Sequence, residues 1–77
     1  MKQVNLKIKE EVLHILCEDI YLNTKHVVIH FPADANIYDI MKMSMTFGVE
    51  FYKYSDGHAA LTFPIEAVFN IKHLPNE

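Results

Sequence analysis

A turn signal between two alternating segments constrains the fold of this chain more than any other feature. In residues 49–54, side chains alternate with a period of two, which is typical of a strand with one buried face. Residues 59–63 continue the alternation after the turn segment Ser55-Asp56-Gly57-His58. The dipeptide Asp56-Gly57 suits a primed turn, which joins antiparallel strands. The sequence therefore predicts a β-hairpin here, and with it an antiparallel sheet.

Further strands are predicted in the first part of the chain, before Pro32. Residues 4–8 alternate with a period of two, and residues 26–31 are β-branched in their centre and end before Pro32. Residues 11–23 are too densely apolar for either period to dominate: they fit a helix with a wide apolar face or two strands with a turn at residues 18–19. The strands are favoured, because this segment is rich in Val, Ile and Tyr and lacks Ala.

One helix is predicted over residues 35–47. Asp34 or Asn36 can cap its start, and Gly48 lies where a left-handed C-terminal residue is wanted. Met43 is predicted to point away from the apolar face. That face is predicted to hold Ile37, Ile40, Met41 and Ser44.

The C-terminal segment fits two structures. Pro64 at a first helical position and Glu66 in a first turn favour a short helix. Val68, Phe69 and Ile71 would fit a last strand equally well. We favour the helix. The predicted fold class is α+β: a small, mostly antiparallel β-sheet with the 35–47 helix packed on one face, in a single domain over residues 1–77.

Composition narrows the functional classes. The chain has 77 residues, of which 51% are hydrophobic, so it has enough apolar material to fold. Seven lysines and no arginine oppose ten acidic residues, and the net charge of −3 makes nucleic acid an unfavourable partner. The single cysteine favours a cytoplasmic location, and no apolar run approaches a membrane span. The Lys-rich, Arg-free composition is typical of AT-rich genes, which points to a low-GC bacterium, a phage or a plasmid, and a phage or another mobile element is the source we consider.

Two pairs of residues have spacings that resemble metal-ligand pairs, but neither pair fits a metal site on a strand. His14 and Cys17 would point to opposite faces of a strand, and His26 and His30 would lie about 13 Å apart on one. We therefore expect no metal and no other cofactor. Cys17 lies in an apolar run, and neither a nucleophile motif nor a glycine-rich phosphate loop is present. The sequence predicts no enzymatic activity.

The most suggestive stretch is aromatic. Tyr52 and Tyr54 are predicted to share one strand face beside Glu50, as rigid contacts for a partner protein. Asp56 is predicted to complete the charged rim around these tyrosines. Glu18 and Asp19 form a second acidic edge, and these six residues are the candidate partner-binding site.

The leading hypothesis is a small inhibitor or adaptor that covers a site on another protein, such as one that processes nucleic acid. A homodimer through an exposed strand edge is compatible with so small a core. Two alternatives stay open. One is a weak single-stranded nucleic-acid-binding module that uses Lys53, Lys7 and Lys9 beside the tyrosines. The other is a histidine-dependent metal or pH-responsive module.

Overall fold

The computed structural model of the chain describes the backbone of residues 2–8 and 10–73 and the side chains of residues 2–8 and 10–66. This part contains seven strands and one α-helix. The helix α1 is Ile37–Phe47, and a 3-10 turn, Ile65–Ala67, precedes the last strand. The strands are β1 Lys2–Ile8, β2 Glu11–Cys17, β3 Asp19–Leu22, β4 His26–Phe31, β5 Glu50–Lys53, β6 Ala59–Pro64 and β7 Val68–His73.

The strands form two antiparallel sheets. The three-stranded sheet has the order β2-β1-β7, and the four-stranded sheet has the order β3-β4-β6-β5. The α+β class is confirmed, but the expectation of one sheet was wrong. Eleven helical residues are too few to cover one sheet of so many strands, so the two sheets cover each other's apolar faces.

The core lies between the two sheets and is closed at one side by the helix. The three-stranded sheet contributes its alternate apolar residues, and the helix contributes Ile40. Because β-strand side chains alternate, each strand turns one face toward this core and the other away from it. The buried residues of the two sheets are Val4, Leu6, Ile15 and Cys17 on one side and Val27, Ile29, Phe31, Ala59, Leu61 and Phe63 on the other.

Residues 11–23 form two strands, as predicted, but these strands do not pair with each other. β2 is an edge of the three-stranded sheet, whereas β3 is an edge of the four-stranded sheet. The chain changes sheets at Glu18, whose backbone N–H donates to the carbonyl of His30 at 2.8 Å. One continuous edge of the molecule therefore passes from one sheet to the other.

The helix starts at Ile37, two residues later than predicted, and ends at Phe47 as predicted; its predicted face is right for Ile37, Ile40 and Ser44 and wrong for the methionines. The side chain of Asn36 accepts hydrogen bonds from the backbone N–H groups of residues 38 and 39, and Gly48 has a left-handed φ of 66°. Met43 packs against the core, whereas Met41 is exposed, opposite to the prediction. The reason is that the buried Ile40 sets the face, and Met43 follows it at the helical spacing of three.

The β5–β6 hairpin is present, with Phe51 opposite Leu61. Its loop differs from the primed turn that we predicted. Gly57 N–H donates to the carbonyl of Tyr54 at 3.0 Å, and Tyr54 N–H donates to the carbonyl of His58 at 2.8 Å. With Gly57 at a φ of 98°, this is the three-residue loop in which a β-turn is followed by a left-handed glycine.

The C-terminal helix prediction was wrong. Pro64 ends β6, a single 3-10 turn follows, and residues 68–73 form β7. β7 pairs with β1, with Ile71 opposite Val4. Pairing satisfies the backbone hydrogen bonds on the second side of β1, and this tertiary gain outweighs the local helix signals at Pro64 and Glu66.

Candidate functional site

The candidate site is the outer face of the four-stranded sheet, by which we mean the side that points away from the core. Because the odd-numbered residues of β4 are buried, His30 points outward. The register of the other strands then places further polar and aromatic side chains beside it. Among the outward residues are Asp19, Tyr21, His30, Glu50, Tyr52, Tyr54 and His58.

Five of these side chains make an aromatic cluster, which consists of Tyr21, His30, Tyr52, Tyr54 and His58. Tyr54 stacks on His58 with ring centroids 4.1 Å apart and an interplanar angle of 9°. Tyr54 also contacts the ring of Tyr52 edge-on at 4.6 Å. On the other side, His30 lies 5.5 Å from His58 and 5.1 Å from Tyr21. The cluster therefore runs across the sheet from β3 to β5.

The two predicted anchors differ in exposure. Tyr52 and Tyr54 lie on one face, as the alternation predicts, and Tyr52 is 60% exposed. Tyr54 is half-buried because it packs between Tyr52 and His58. At the opposite edge, Tyr21 is 58% exposed, although sequence reasoning did not select it. The outer face thus presents an exposed tyrosine at each edge, with Tyr54 supporting one of them.

A cleft of about 420 Å³ opens at one end of this face, and we call it the acidic cleft. It brings Asp56 of the hairpin loop together with Glu18 and Asp19, where the chain changes sheets. Glu50 lies apart from it, in a second concavity that His26 also lines. Sequence reasoning grouped Asp56 with Glu50, whereas the structure groups it with the other acidic edge. The acidic cleft is lined by Glu18, Asp19, Tyr21, His30, Ala33, Asp56 and His58.

Hydrogen bonds keep two of the three carboxylates ionised. The backbone N–H of His58 donates to Asp56 Oδ1 at 3.1 Å, and the ring Nδ1 of His58 donates to the same oxygen at 2.5 Å. These two hydrogen bonds hold the pKa of Asp56 below its usual value. Lys2 Nζ donates to Asp19 Oδ1 at 2.7 Å, and the N–H of Ile20 donates to the same atom at 2.9 Å. These contacts lower the pKa of Asp19 in the same way.

The remaining groups of the acidic cleft leave its charge negative. Within the described part of the chain, the carboxylate of Glu18 has no hydrogen-bond or ion-pair partner. Partial burial, and then the neighbouring His58, lower the pKa of His30, so this ring is neutral at pH 7. Three carboxylates therefore face a cleft in which His30 supplies no positive charge.

The other chemistry-bearing residues do not converge on this site. Burial raises the pKa of Cys17 to about 11, so its thiol is not a nucleophile at neutral pH. The hydroxyl of Ser44 donates to the carbonyl of residue 49 at 2.6 Å. Among the described side chains, those of residues 2–8 and 10–66, no three His, Cys, Asp or Glu groups are placed to hold one metal ion. His26 and His30 lie on one strand, about 13 Å apart.

One missed signal could have found the β3–β4 part of the site. Asn23 Oδ1 accepts from the N–H groups of Lys25 and His26 at 2.8 and 2.7 Å, and this side chain holds the turn between the two strands. Asn followed by polar residues is a turn signal. Combined with the β-branched run in residues 26–31, it would have predicted a β3–β4 hairpin and placed Tyr21 near His30.

The chain matches no family model, no curated protein and no solved structure. Over the residues that the structure describes, no helix has the length and apolar character needed to cross a membrane. A function can therefore be inferred only from the geometry and chemistry of the molecule itself.

Proposed function

We propose that this protein is a non-enzymatic binding protein that covers a site on a partner protein and so acts as an inhibitor or adaptor. One observation carries the proposal: Tyr21 and Tyr52 are both more than half exposed on the same open sheet face. Tyrosine is enriched at protein interfaces because it combines a large apolar ring with a polar tip and few rotatable bonds. Two such rings on a rigid sheet support an interface.

The charges of this face support a basic partner surface. Glu50 lies beside Tyr52 on the outer face, and Asp56 lies on the hairpin loop next to His58. Glu18 and Asp19 add negative charge at the opposite edge, near Tyr21. Acidic residues around aromatic contacts steer and orient a positively charged partner. Proteins that process nucleic acid carry such surfaces, and a cytoplasmic partner of this class is part of the proposal.

The nucleic-acid alternative has one observation in its favour and one against it. The aromatic cluster crosses an open sheet, which is the arrangement on which single-stranded bases stack. However, Lys53 follows Tyr52 on the strand and therefore points to the opposite side of the sheet. The carboxylates of Asp19 and Glu50 lie on the aromatic side instead. Repulsion of phosphate by this face favours the protein-binding proposal.

Affinity capture tests the proposal. The wild-type protein, a Tyr21→Ala/Tyr52→Ala variant and a Tyr38→Ala control are immobilised and exposed to extract of the source cell. Tyr38 is 79% exposed on α1 and is therefore a matched aromatic control away from the outer face. We expect one partner to be recovered by the wild type and the control and to fall at least about tenfold with the double variant.

Two outcomes would contradict the proposal. One is full recovery of the same partner by the double variant, and the other is the absence of any protein captured by the wild type above a blank resin. Circular dichroism of each variant confirms that the fold is intact. Homodimerisation through a strand edge stays a prediction, which the elution volume of the purified protein tests.

A further inference from the structure

The acidic cleft has the size and composition of a site for one long cationic side chain. Its volume of about 420 Å³ falls within the range of about 300–1,000 Å³ that is common for ligand pockets. Carboxylates and aromatic rings share its lining. This combination stabilises an organic cation in two ways: by ion pairing at the carboxylates and by contact with ring faces.

The cleft holds one exposed carboxylate that is available to pair with a cation from outside it. Lys2 pairs with Asp19, and His58 donates to Asp56, but Glu18 has no such partner within the described residues. His30 is neutral at pH 7. A metal ion is a poor fit, because no three His, Cys, Asp or Glu side chains among the described residues are placed to hold one ion together. An organic cation needs only one unpaired carboxylate and a flat surface.

The ring surfaces favour a planar cation. Tyr21 exposes more than half of its side chain, and the ring of His30 meets it at 89°. A guanidinium group is flat, stacks on aromatic rings and donates two parallel hydrogen bonds to one carboxylate, whereas an ammonium group is a compact, strongly hydrated charge. Glu18, which follows the last residue of β2, lies at the mouth of the same cleft as these rings.

We propose that the acidic cleft binds an arginine side chain of the partner protein, with Glu18 as the carboxylate that pairs with the guanidinium group and Tyr21 and His30 as the ring surfaces beside it. This inference rests on the proposed function, since it names the chemistry by which the partner is recognised. Tyr52, at the other edge of the sheet, then contacts a separate part of the partner surface.

The test is a titration of isotope-labelled protein with acetyl-Gly-Arg-Gly-amide, followed by nuclear magnetic resonance. We expect saturable shift changes at Glu18, Tyr21, His30 and His58 that weaken as salt is raised. A citrulline peptide has the same shape without the charge and should bind at least about tenfold more weakly. The lysine peptide should bind with an affinity between the two.

Two variants sharpen the titration. Glu18→Gln keeps the backbone hydrogen bond to His30 and should weaken the arginine peptide at least about tenfold. Glu11→Gln, an exposed glutamate at the start of β2 in the other sheet, should leave its affinity unchanged. Equal binding of the arginine and citrulline peptides, no saturable shift, or unchanged affinity in Glu18→Gln would each overturn the proposal.

Affinity capture distinguishes failure of the acidic cleft proposal from failure of the proposed function. If the wild type captures a partner through Tyr21 and Tyr52 but the arginine peptide does not bind, the acidic cleft proposal fails and the proposed function stands. If the peptide binds as expected but no partner is captured, the proposed function fails while the cleft remains a guanidinium site. Capture that is lost in both Glu18→Gln and the tyrosine double variant supports both.

Discussion

The two sheets differ in whether the polar side chains on their outer faces find hydrogen-bond partners within the sheet. On the three-stranded sheet, Asn5 is only 7% exposed, and its Oδ1 accepts hydrogen bonds from Gln3 Nε2 at 2.9 Å and His14 Nδ1 at 2.7 Å. These polar groups satisfy one another across neighbouring strands. On the four-stranded sheet, Tyr21 and Tyr52 are exposed, and Glu18, at the crossing just before β3, has no hydrogen-bond or ion-pair partner among the described residues.

This difference separates polar side chains that pair within their own sheet from side chains that are available for binding, although the outer face of the three-stranded sheet also exposes the apolar side chains of Val12 and Leu16. Both faces follow from the same strand alternation, so alternation alone does not decide which role a face takes. The deciding feature is whether the outward polar groups meet a partner within the sheet.

The largest expected effect tests whether the two faces belong to one cooperative unit. Ile29→Ala in β4 removes a fully buried side chain and should cost about 2–5 kcal/mol. Because Val4 and Leu6 of β1 share this core, both sheets should lose stability together. Urea unfolding and hydrogen exchange measure the effect. If β4 amides lose protection while β1 amides keep it, the sheets are separate units and the comparison fails.

A smaller effect should separate the two outer faces directly. Asn5→Ala removes the shared acceptor of Gln3 and His14 at a nearly buried position, which should cost about 1–3 kcal/mol. Tyr52→Ala changes an exposed ring on an edge strand and should cost within about 0.5 kcal/mol. Urea denaturation of both variants tests this order. A greater loss from Tyr52→Ala than from Asn5→Ala would contradict the assigned roles.

The pH dependence of stability should depend partly on His30. Its pKa is lowered in the folded protein, so below about pH 6.5 the unfolded chain binds the proton more readily, and stability is lost as the pH falls. The loss should be smaller than that of Asn5→Ala. Thermal melts from about pH 7.5 to about 5.5 measure it. His30→Asn should reduce the slope, and an unchanged slope in this variant would exclude His30 as its source.

The last prediction is that the protein does not bind single-stranded DNA. A fluorescently labelled oligothymidylate at low salt should show no change in anisotropy, because Glu50 and Asp19 lie on the aromatic side of the sheet and Lys53 does not. Tight binding that weakens steeply with salt would reverse this expectation. It would also assign the aromatic cluster to base stacking instead of protein contact.

Local signals in the sequence predicted the elements that depend on neighbouring residues. The β5–β6 hairpin, the Asn36 cap and the shared face of Tyr52 and Tyr54 all follow from spacings of a few residues. The Gly57 loop was wrong in detail, since Asp56-Gly57 suits both a primed turn and a left-handed glycine after a β-turn. Both alternatives need the same residues, and only the register of the flanking strands separates them.

Long-range pairing could not be predicted in the same way. Val68, Phe69 and Ile71 fit a strand as well as a helix, and pairing with β1 decides between them, but nothing within residues 64–73 says which strand β7 would join. The acidic cleft depends on pairing of β3, β4 and β6, which joins Glu18 to Asp56 across the sheet. Without relatives for comparison, alternation assigns each strand its two faces but does not say which strands are neighbours.

Cys17 has a practical consequence that follows from its place in the fold. It is the chain's single cysteine and the last residue of β2, immediately before the crossing between the sheets, and its side chain is fully enclosed. A thiol reagent can reach the sulfur only when this seam parts. The rate at which such a reagent labels the Cys17 sulfur therefore measures how often the two sheets separate, and no engineered probe is needed.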